Sequence, residues 1–206
     1  IKDGKVEVLT DPKVKRCPLR QKVYGSEEET RETVKKTIEN HIRELGMYTD
    51  KRVLELEEEP ISFGASEMMM NALQEGLIEA VVVVCDGAGT VVVTHPKVVQ
   101  AIGAHMTGLI RTDPIPNTQN GLRSRGSYLL DEKATIDQVG GVRLAIEKGF
   151  KRIAVTITGL QSKEAEIIRE IEREYKDISL IIMAVHNSEI TEEEALTLAD
   201  NADLVW

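Results

Sequence analysis

The run AVVVVC at positions 80–85 sets six consecutive apolar side chains ahead of a short, glycine-rich DGAG. A strand that alternates polar and apolar residues needs cover on one face only. A strand without alternation needs cover on both, which is the situation of a central strand in a layered α/β protein. The flanking residues support that reading. PISFG (60–64) reads as a short strand, and residues 65–75 read as a helix with Met69, Ala72 and Leu73 inward, closed by Gly76. EAVVVVC (79–85) then returns as a second strand. Strand, helix and strand in so short a span predict a βαβ crossover with the two strands parallel.

The same alternation continues along the chain. TVVVT (90–94) predicts a strand, and Pro96 opens a helix carrying Val99, Ile102 and Met106 that ends near Gly108. Thr135, Ile136, Asp137 and Gln138 read as a capping box for a helix ending at Gly149. KRIAVTI (151–157) and SLIIMAV (179–185) predict strands, and DLVW (203–206) begins another. Between them, Ser162 is expected to cap a helix with Ile167, Ile168 and Ile171 inward. Thr191 and Glu194 are expected to cap a helix reaching Asn201. Upstream, Ser26 and Glu29 predict a capping box for a helix that faces inward through Val34, Ile38, Ile42 and Leu45 and stops at Gly46. RVLEL (52–56) predicts a strand. Residues 111–134 show no clear periodicity apart from a brief strand near 127–130 and read as a functional loop or linker.

The expected fold is therefore α/β: a mainly parallel sheet flanked by helices, preceded by a short N-terminal β arm in IKDGKVEVL (1–9). The expected organisation is an arm over 1–25, a first lobe over 26–130 and a second over 131–206, the two lobes open to merging into one domain. The chain starts at Ile1 without Met and stops inside NADLVW, and so reads as trimmed at both ends. A net charge of −9, no long basic run and only 3% aromatic residues argue against a nucleic-acid partner. No apolar run approaches about 18 residues, so no membrane span is expected. Two cysteines, Cys17 and Cys85, build no disulfide framework, and the expected compartment is a reducing cytoplasm.

In open parallel sheets, ligands sit beyond the carboxyl ends of the strands. That rule selects Gly64, Ser66 and Glu67; Cys85, Asp86, Gly87, Gly89 and Thr90; Thr158 and Gly159; and His186 to Ser188. FGASE places a glycine after a strand and a hydroxyl at a helix start, where free amides favour an anion. The alternative is a turn glycine and an ordinary N-cap. CDGAGT lacks the third glycine and the helix opening of a dinucleotide fingerprint, so a hairpin or sharp bend is the expected geometry. Cys85 can be read as a nucleophile, a soft metal ligand or a small buried hydrophobe, and Asp86 as a base or an orienting group. His95 precedes a helix start next to CDGAGT in sequence, and His186 ends a strand. His41 reads as structural, and no His pair has helical metal-site spacing. Arg111, with Arg123 and Arg125, could clamp an acidic small molecule from the irregular loop or belong to a solvated linker. The Met68, Met69 and Met70 run reads as core filling. No cofactor is named by these residues, and no metal set is expected.

CPL at 17–19, SFGASE, VVVVCDGAGTVVVT, MTGLIRTDPIP, IDQVGGVRLAIEKGFKRIAVT and IMAVH together resemble the family called methanogenesis marker protein 8. The likeness runs from Cys17 to Leu204. It implies an anaerobic archaeal cytoplasm and a link to methanogenesis, and it carries no catalytic residue with it. The reading it supports is an accessory or maturation protein that binds a small anionic cofactor or precursor at the strand ends. Gly64, Ser66, Gly87, Gly89 and Thr90 would supply contacts, with Cys85 and Asp86 as reactive candidates. A non-catalytic assembly factor docking on methanogenesis enzymes, such as methyl-coenzyme M reductase machinery, is the rival from another class. A thiol enzyme acting through Cys85 is the third. A homo-oligomer is compatible with all three.

Overall fold

The structure, a computed structural model, describes residues 1, 5–12, 14–17, 20–22, 25–59, 64–103, 109–188 and 190–206. The chain divides into two compact units, Ile1–Val53 and Leu54–Trp206.

The first unit is organised by helix α1 (Arg31–Leu45). Its cap is not Ser26 but Thr30, whose hydroxyl accepts from the Thr33 amide while Thr33 returns the bond to the Thr30 amide. The Ser26 hydroxyl instead donates to the Glu28 carbonyl. The Thr30/Thr33 pair closes the same kind of reciprocal box as the expected Ser26/Glu29 pair, about one turn further along the chain. Val34, Ile38, Ile42 and Leu45 are half-buried, whereas Thr37 and His41 beside them are fully buried. Gly46 ends the helix in the left-handed region (φ 61°), where glycine carries no Cβ penalty. Of the expected N-terminal arm, Lys5 makes a single bridge and residues 6–9 are irregular; residues 2–4 lie outside the described set.

The second unit is the α/β body. Helix α2 (Ala65–Gln74) precedes strand β1 (Ala80–Cys85). Strand β2 (Gly89–Val93), helix α3 (Pro96–Gly103), helix α4 (Pro116–Ser124) and strand β3 (Tyr128–Leu129) follow. Then come helix α5 (Gln138–Glu147), strand β4 (Arg152–Thr158), a 3-10 turn (Gly159–Gln161) and helix α6 (Ser162–Glu174). Strand β5 (Ser179–Val185), helix α7 (Glu192–Asn201) and strand β6 (Leu204–Val205) complete the unit. The sheet order is β3-β2-β1-β4-β5-β6. β1, β4, β5 and β6 are parallel, and β2 and β3 are added antiparallel.

β1 is covered on both faces, which explains its unbroken apolar run. Val81, Val83 and Cys85 join Val91, Val93, Met69, Val98, Val99, Ile102 and Leu122 on one side. Ala80 and Val82 join Val142, Ile153, Val155, Ile168, Ile182 and Leu198 on the other. Each fully buried Val of this kind contributes about 1.5–3 kcal/mol.

Several local expectations change. The strand expected at PISFG falls on residues 60–63, outside the described set, and Gly64 is the N-cap of α2. Both edges of β1 are already occupied, by β2 and β4. RVLEL is not a strand. Within its second half Leu54 is buried, and the Leu56 amide bonds to the Lys97 carbonyl rather than to a sheet edge. The irregular stretch contains α4, opened by Pro116 and packed inward through Thr118, Gln119 and Leu122. With so many polar residues and Gly121 within it, its apolar period is too weak to read. The brief strand expected near 127–130 is β3. Ser162 lies inside α6, whose N-cap is Gln161, and Ile167 is exposed while Ile168 and Ile171 are buried. The Thr191 and Glu194 capping box is present.

The β1–β2 hairpin turns through Asp86, Gly87 and Ala88. The Ala88 amide donates to the Cys85 carbonyl (3.1 Å), and Gly87 supplies the positive φ (76°) that a turn of this type needs. Gly89 also has positive φ (71°), and a Cβ there would overlap the Ala134 carbonyl and the Thr135 oxygen. Gly89→Ala is expected to cost about 2–4 kcal/mol through backbone strain and overpacking. Urea denaturation would check this, with Gly149→Ala as a positive-φ control that meets open space.

Candidate functional site

The carboxyl ends of β1, β4 and β5 lie along one edge of the sheet, and the ladder between the first two does not reach it. β1 and β4 pair at Ala80 with Ile153, Val81 with Ala154 and Val82 with Val155. Both strands continue, to Cys85 and Thr158, without further pairing to each other, while β1 stays paired with β2 and β4 with β5. Gln138 occupies the division. Its side-chain amide donates to the Thr156 carbonyl (2.5 Å) and to the Val82 carbonyl (3.4 Å), and its oxygen accepts from the Thr90 hydroxyl (2.8 Å). Gln138 is therefore not part of a capping box. Asp137 alone caps α5, accepting from the Gly140 amide, and Gln138 turns inward, 2% exposed.

This arrangement accounts for the glycines of CDGAG. The Gly87 amide donates to Thr112 Oγ1 (2.8 Å), and its carbonyl accepts from the Ile115 amide (2.8 Å). A Cβ at Gly87 would lie 2.8 Å from the Ile115 side chain. Thr90 is buried; its amide donates to the Thr135 carbonyl, and its hydroxyl also accepts from the Asp137 amide. Gly87, Gly89 and Thr90 thus make their close approaches to other parts of the same chain. Cys85 is 0% exposed, sits in the core cluster and donates its thiol to the Asp86 carbonyl (3.4 Å). Asp86 is likewise fully buried.

FGASE contributes a buried polar cluster. α2 ends just before β1 begins, and α3 starts just after β2 ends, so both helices span the sheet between its edges. Gly103, at the end of α3, lies against Ser66: a Cβ there would be 2.7 Å from the Ser66 Cβ. The start of α2 is thereby at the carboxyl edge. Glu67, 2% exposed, accepts from the Ser66 hydroxyl (3.0 Å) and from the Gln100 side-chain amide (3.2 Å). Its carboxylate occupies the space that a Cβ on Gly64 would need. The amino end of α2 is thus already faced by an acid of its own chain.

The remaining candidates separate. β2 runs antiparallel to β1, and four steps of about 3.4 Å carry it to the opposite edge of the sheet. His95, exposed just beyond β2, is therefore far from Cys85 despite its closeness in sequence. His186 ends β5 with a left-handed φ of 57°, an uncommon conformation for a residue with a Cβ. Arg123 is paired with Glu132, and Arg125 with Glu55. Arg111 is 87% exposed, and its ion pair with Asp113 is a loose 3.7 Å contact. Among the described residues no three His, Cys, Asp or Glu side chains gather in a metal-holding group. No described helix is long and apolar enough to cross a membrane. One open cavity of about 480 Å³ lies within the first unit, lined by residues including Ile42, Gly46 and Lys51.

Beside Thr158, which the sequence selected, the edge also carries Gln161 and Glu164, which it did not. Thr158 donates to Gln161 (2.9 Å), and Gln161 donates to Glu164 Oε1 (2.9 Å). Glu164 Oε2 is buried and has no hydrogen-bond partner. Burial holds the Glu164 carboxyl above the ordinary glutamate range, and the charge of Asp137 adds to the shift. The available signal was the placing of Gln138 and Glu164 within the first turns of helices that follow strands.

Two outcomes are expected. Gln138→Leu should cost about 2–3 kcal/mol, because it leaves two buried carbonyls and a hydroxyl without their partner; thermal or urea unfolding would measure it. Alkylation at neutral pH should label Cys17, which is half-buried, and spare Cys85 until the chain is unfolded. Mass mapping of the labelled peptides would decide, and rapid labelling of Cys85 in the folded protein would restore it as a candidate nucleophile.

Comparison with known proteins finds archaeal similarity. It is 36% identical over 197 residues to the uncharacterized protein MJ0054 of Methanocaldococcus jannaschii, a match that covers 95% of this chain and 69% of that protein. A family model described as "uncharacterized protein conserved in archaea" matches residues 1–206. The chain belongs to that archaeal family, DUF2099.

Proposed function

We propose that this chain is a methanogenesis-linked accessory or maturation protein that binds a small anionic cofactor or precursor at the carboxyl edge of its parallel strands. The observation that carries the reading is the division of β1 from β4 beyond Val82 and Val155, at the edge where α/β sheets accept ligands. The resemblance of the sequence to methanogenesis marker protein 8 supports the link to methanogenesis, and the uncharacterized Methanocaldococcus relative supports an archaeal setting.

Recognition of an acidic group would fall mainly to Arg111. The amino ends of α2, α5 and α7 are each met by oxygens of their own chain, from Glu67, Asp137 and Thr191. Arg123 and Arg125 are engaged, whereas Arg111 is open to solvent on a segment tied to the β1 turn through Thr112. Ser66 and Asp86 would shape the inner wall. The buried Cys85 makes the thiol-enzyme alternative weaker in this conformation.

A second reading, a non-catalytic factor docking on methanogenesis enzymes in the cytoplasm, is favoured by a different observation. Leu196 of α7 and Ile167 of α6, two helices that pack on one another, carry exposed apolar side chains. Exposed apolar groups on packed helices suit protein contact.

Native mass spectrometry of the full-length protein, isolated without oxygen from its own host, is the test. The expected result is an additional mass that leaves on denaturation and is lost in Arg111→Ala, a surface change that should leave folding intact. A bare polypeptide that captures a methanogenesis enzyme, with capture abolished by Leu196→Asp, would overturn the ligand reading in favour of docking.

A further inference from the structure

We propose that the amino end of α4, with Arg111 on the segment that leads into it, is a binding site for a phosphoryl group, the anionic end of a small molecule. The inference rests on the function proposed above, to which it adds the place and the chemical class of the group received.

The segment before α4 is fastened to the end of β1. The Gly87 amide donates to Thr112 Oγ1, and the Ile115 amide donates to the Gly87 carbonyl, both at 2.8 Å. Gly87 lies in the turn just beyond β1, so α4 begins at the carboxyl edge of the sheet. A helix leaves its first amides without partners of its own. In α4 the first helical residue is Pro116, which has no amide, and Gln119 already donates to the Ile115 carbonyl (3.0 Å). The amides left over are those of Asn117 and Thr118. Ile115, the N-cap, has no side-chain acceptor, and no described residue accepts from either amide.

The other helices that start at this edge are already supplied. Glu67 lies against the start of α2, Asp137 caps α5, Glu164 sits in the first turn of α6, and Thr191 and Glu194 close the start of α7. The first turn of α4 carries no acid. Its partial positive charge therefore has no counterpart among the described residues, and it favours an anion.

A second observation is independent of the helix end. Thr118 is 1% exposed, and its Oγ1 is buried with no hydrogen-bond partner. The usual outlet for a helical threonine is the carbonyl four residues back. Here that carbonyl belongs to Pro114, ahead of the helix, and the hydroxyl makes no bond to it. The Cβ of a helical residue leans toward the amino end, so the Thr118 side chain overlies the turn that holds the two free amides. Its neighbour Asn117 is exposed, which leaves the turn open to solvent on that side. An acceptor seated on the amides would also meet the hydroxyl that now has none.

Arg111 supplies the charge. It is 87% exposed, and Asp113, its 3.7 Å partner, is 89% exposed, so solvent and salt screen the pair and an anion would displace it. Two amides, a hydroxyl and a guanidinium are more donors than the two oxygens of a carboxylate receive in one plane. They suit the several oxygens of a tetrahedral phosphoryl group. The role assigned is binding alone, with no bond made or broken.

The experiment titrates the whole chain with inorganic phosphate, with phenyl phosphate as the monoester probe and with acetate as the carboxylate probe, all at equal ionic strength. Backbone amide NMR shifts of Asn117 and Thr118 are followed together with melting temperature. Phosphate and its ester are expected to move these two amides and raise the melting temperature, with acetate far weaker. Tighter binding of the ester would identify the group as the end of a larger molecule. Arg111→Ala is expected to weaken binding about tenfold, the scale of a charge-assisted bond. Thr118→Val keeps the shape and removes the hydroxyl. It is expected to melt no lower than wild type, because that hydroxyl has no partner to lose, and to bind phosphate about threefold more weakly. Arg173→Ala, which removes an exposed arginine of α6, should bind as wild type does. Phosphate shifts that miss Asn117 and Thr118, equal weakening by Arg111→Ala and Arg173→Ala, or acetate binding as tight as phosphate would overturn the site. The broader ligand reading would survive that failure if the native spectrum still showed a mass lost in Arg111→Ala. A bare native mass, with phosphate seated at these amides, would remove the resident ligand and leave the site standing.

Discussion

The second unit depends on one side-chain amide. Gln138 joins the carbonyls of two parallel strands and holds the hydroxyl of a third with its oxygen. Strands that diverge inside a protein leave backbone carbonyls without amides, and buried groups of that kind must find partners. A glutamine meets the need because it carries donors and an acceptor on one short planar group. Without it, β1 and β4 could part only by admitting water into the core between α5 and the sheet. With it, they part at a fixed place, and the edge beyond is free to be shaped by the loops that arrive there.

Those loops explain what the glycines of CDGAG are for. Gly87 admits the 112–115 segment, and Gly89 admits Ala134 and Thr135. The backbone does approach something closely, and that something is the protein itself. The same holds at helix starts, where Glu67 and Asp137 stand where an incoming anion could have been received. The edge has been built by satisfying its own polar groups first. What is left over is specific: an exposed arginine, a half-buried glutamate with one buried oxygen that no donor meets, and a histidine held in an unusual backbone conformation.

How much of this could be read from the chain depends on where the information resides. The sheet was legible because covered strands leave unbroken apolar runs, so AVVVVC, KRIAVTI and SLIIMAV declare themselves. Helices with strong caps or glycine stops, such as those ending at Gly46 and Gly149, were legible for local reasons. α4 was not, since its few inward groups include Thr118 and Gln119, whose burial is decided by tertiary contacts. The distance of His95 from Cys85 was not legible, because an antiparallel strand carries residues that are close in sequence to opposite edges of the sheet. Gln138 was read as a cap because a glutamine at a helix start looks the same whether it faces the solvent or the sheet. Cys85 kept three readings in sequence; burial in the core cluster narrows them.

The order of the sheet also bears on how the chain comes together. β1 meets β2 across a three-residue turn, and Ala80 must find Ile153 only after β2, α3, α4, β3 and α5 have been threaded between them. Closing so long a loop costs entropy that no local contact returns, so a seam of this kind forms late in folding. Here the seam is also short, three residue pairs, and it ends at the edge where the chain is open. The last part of the molecule to be assembled is therefore the edge that carries the candidate site. A nascent chain would hold this edge incomplete until residues beyond 150 had been made and docked.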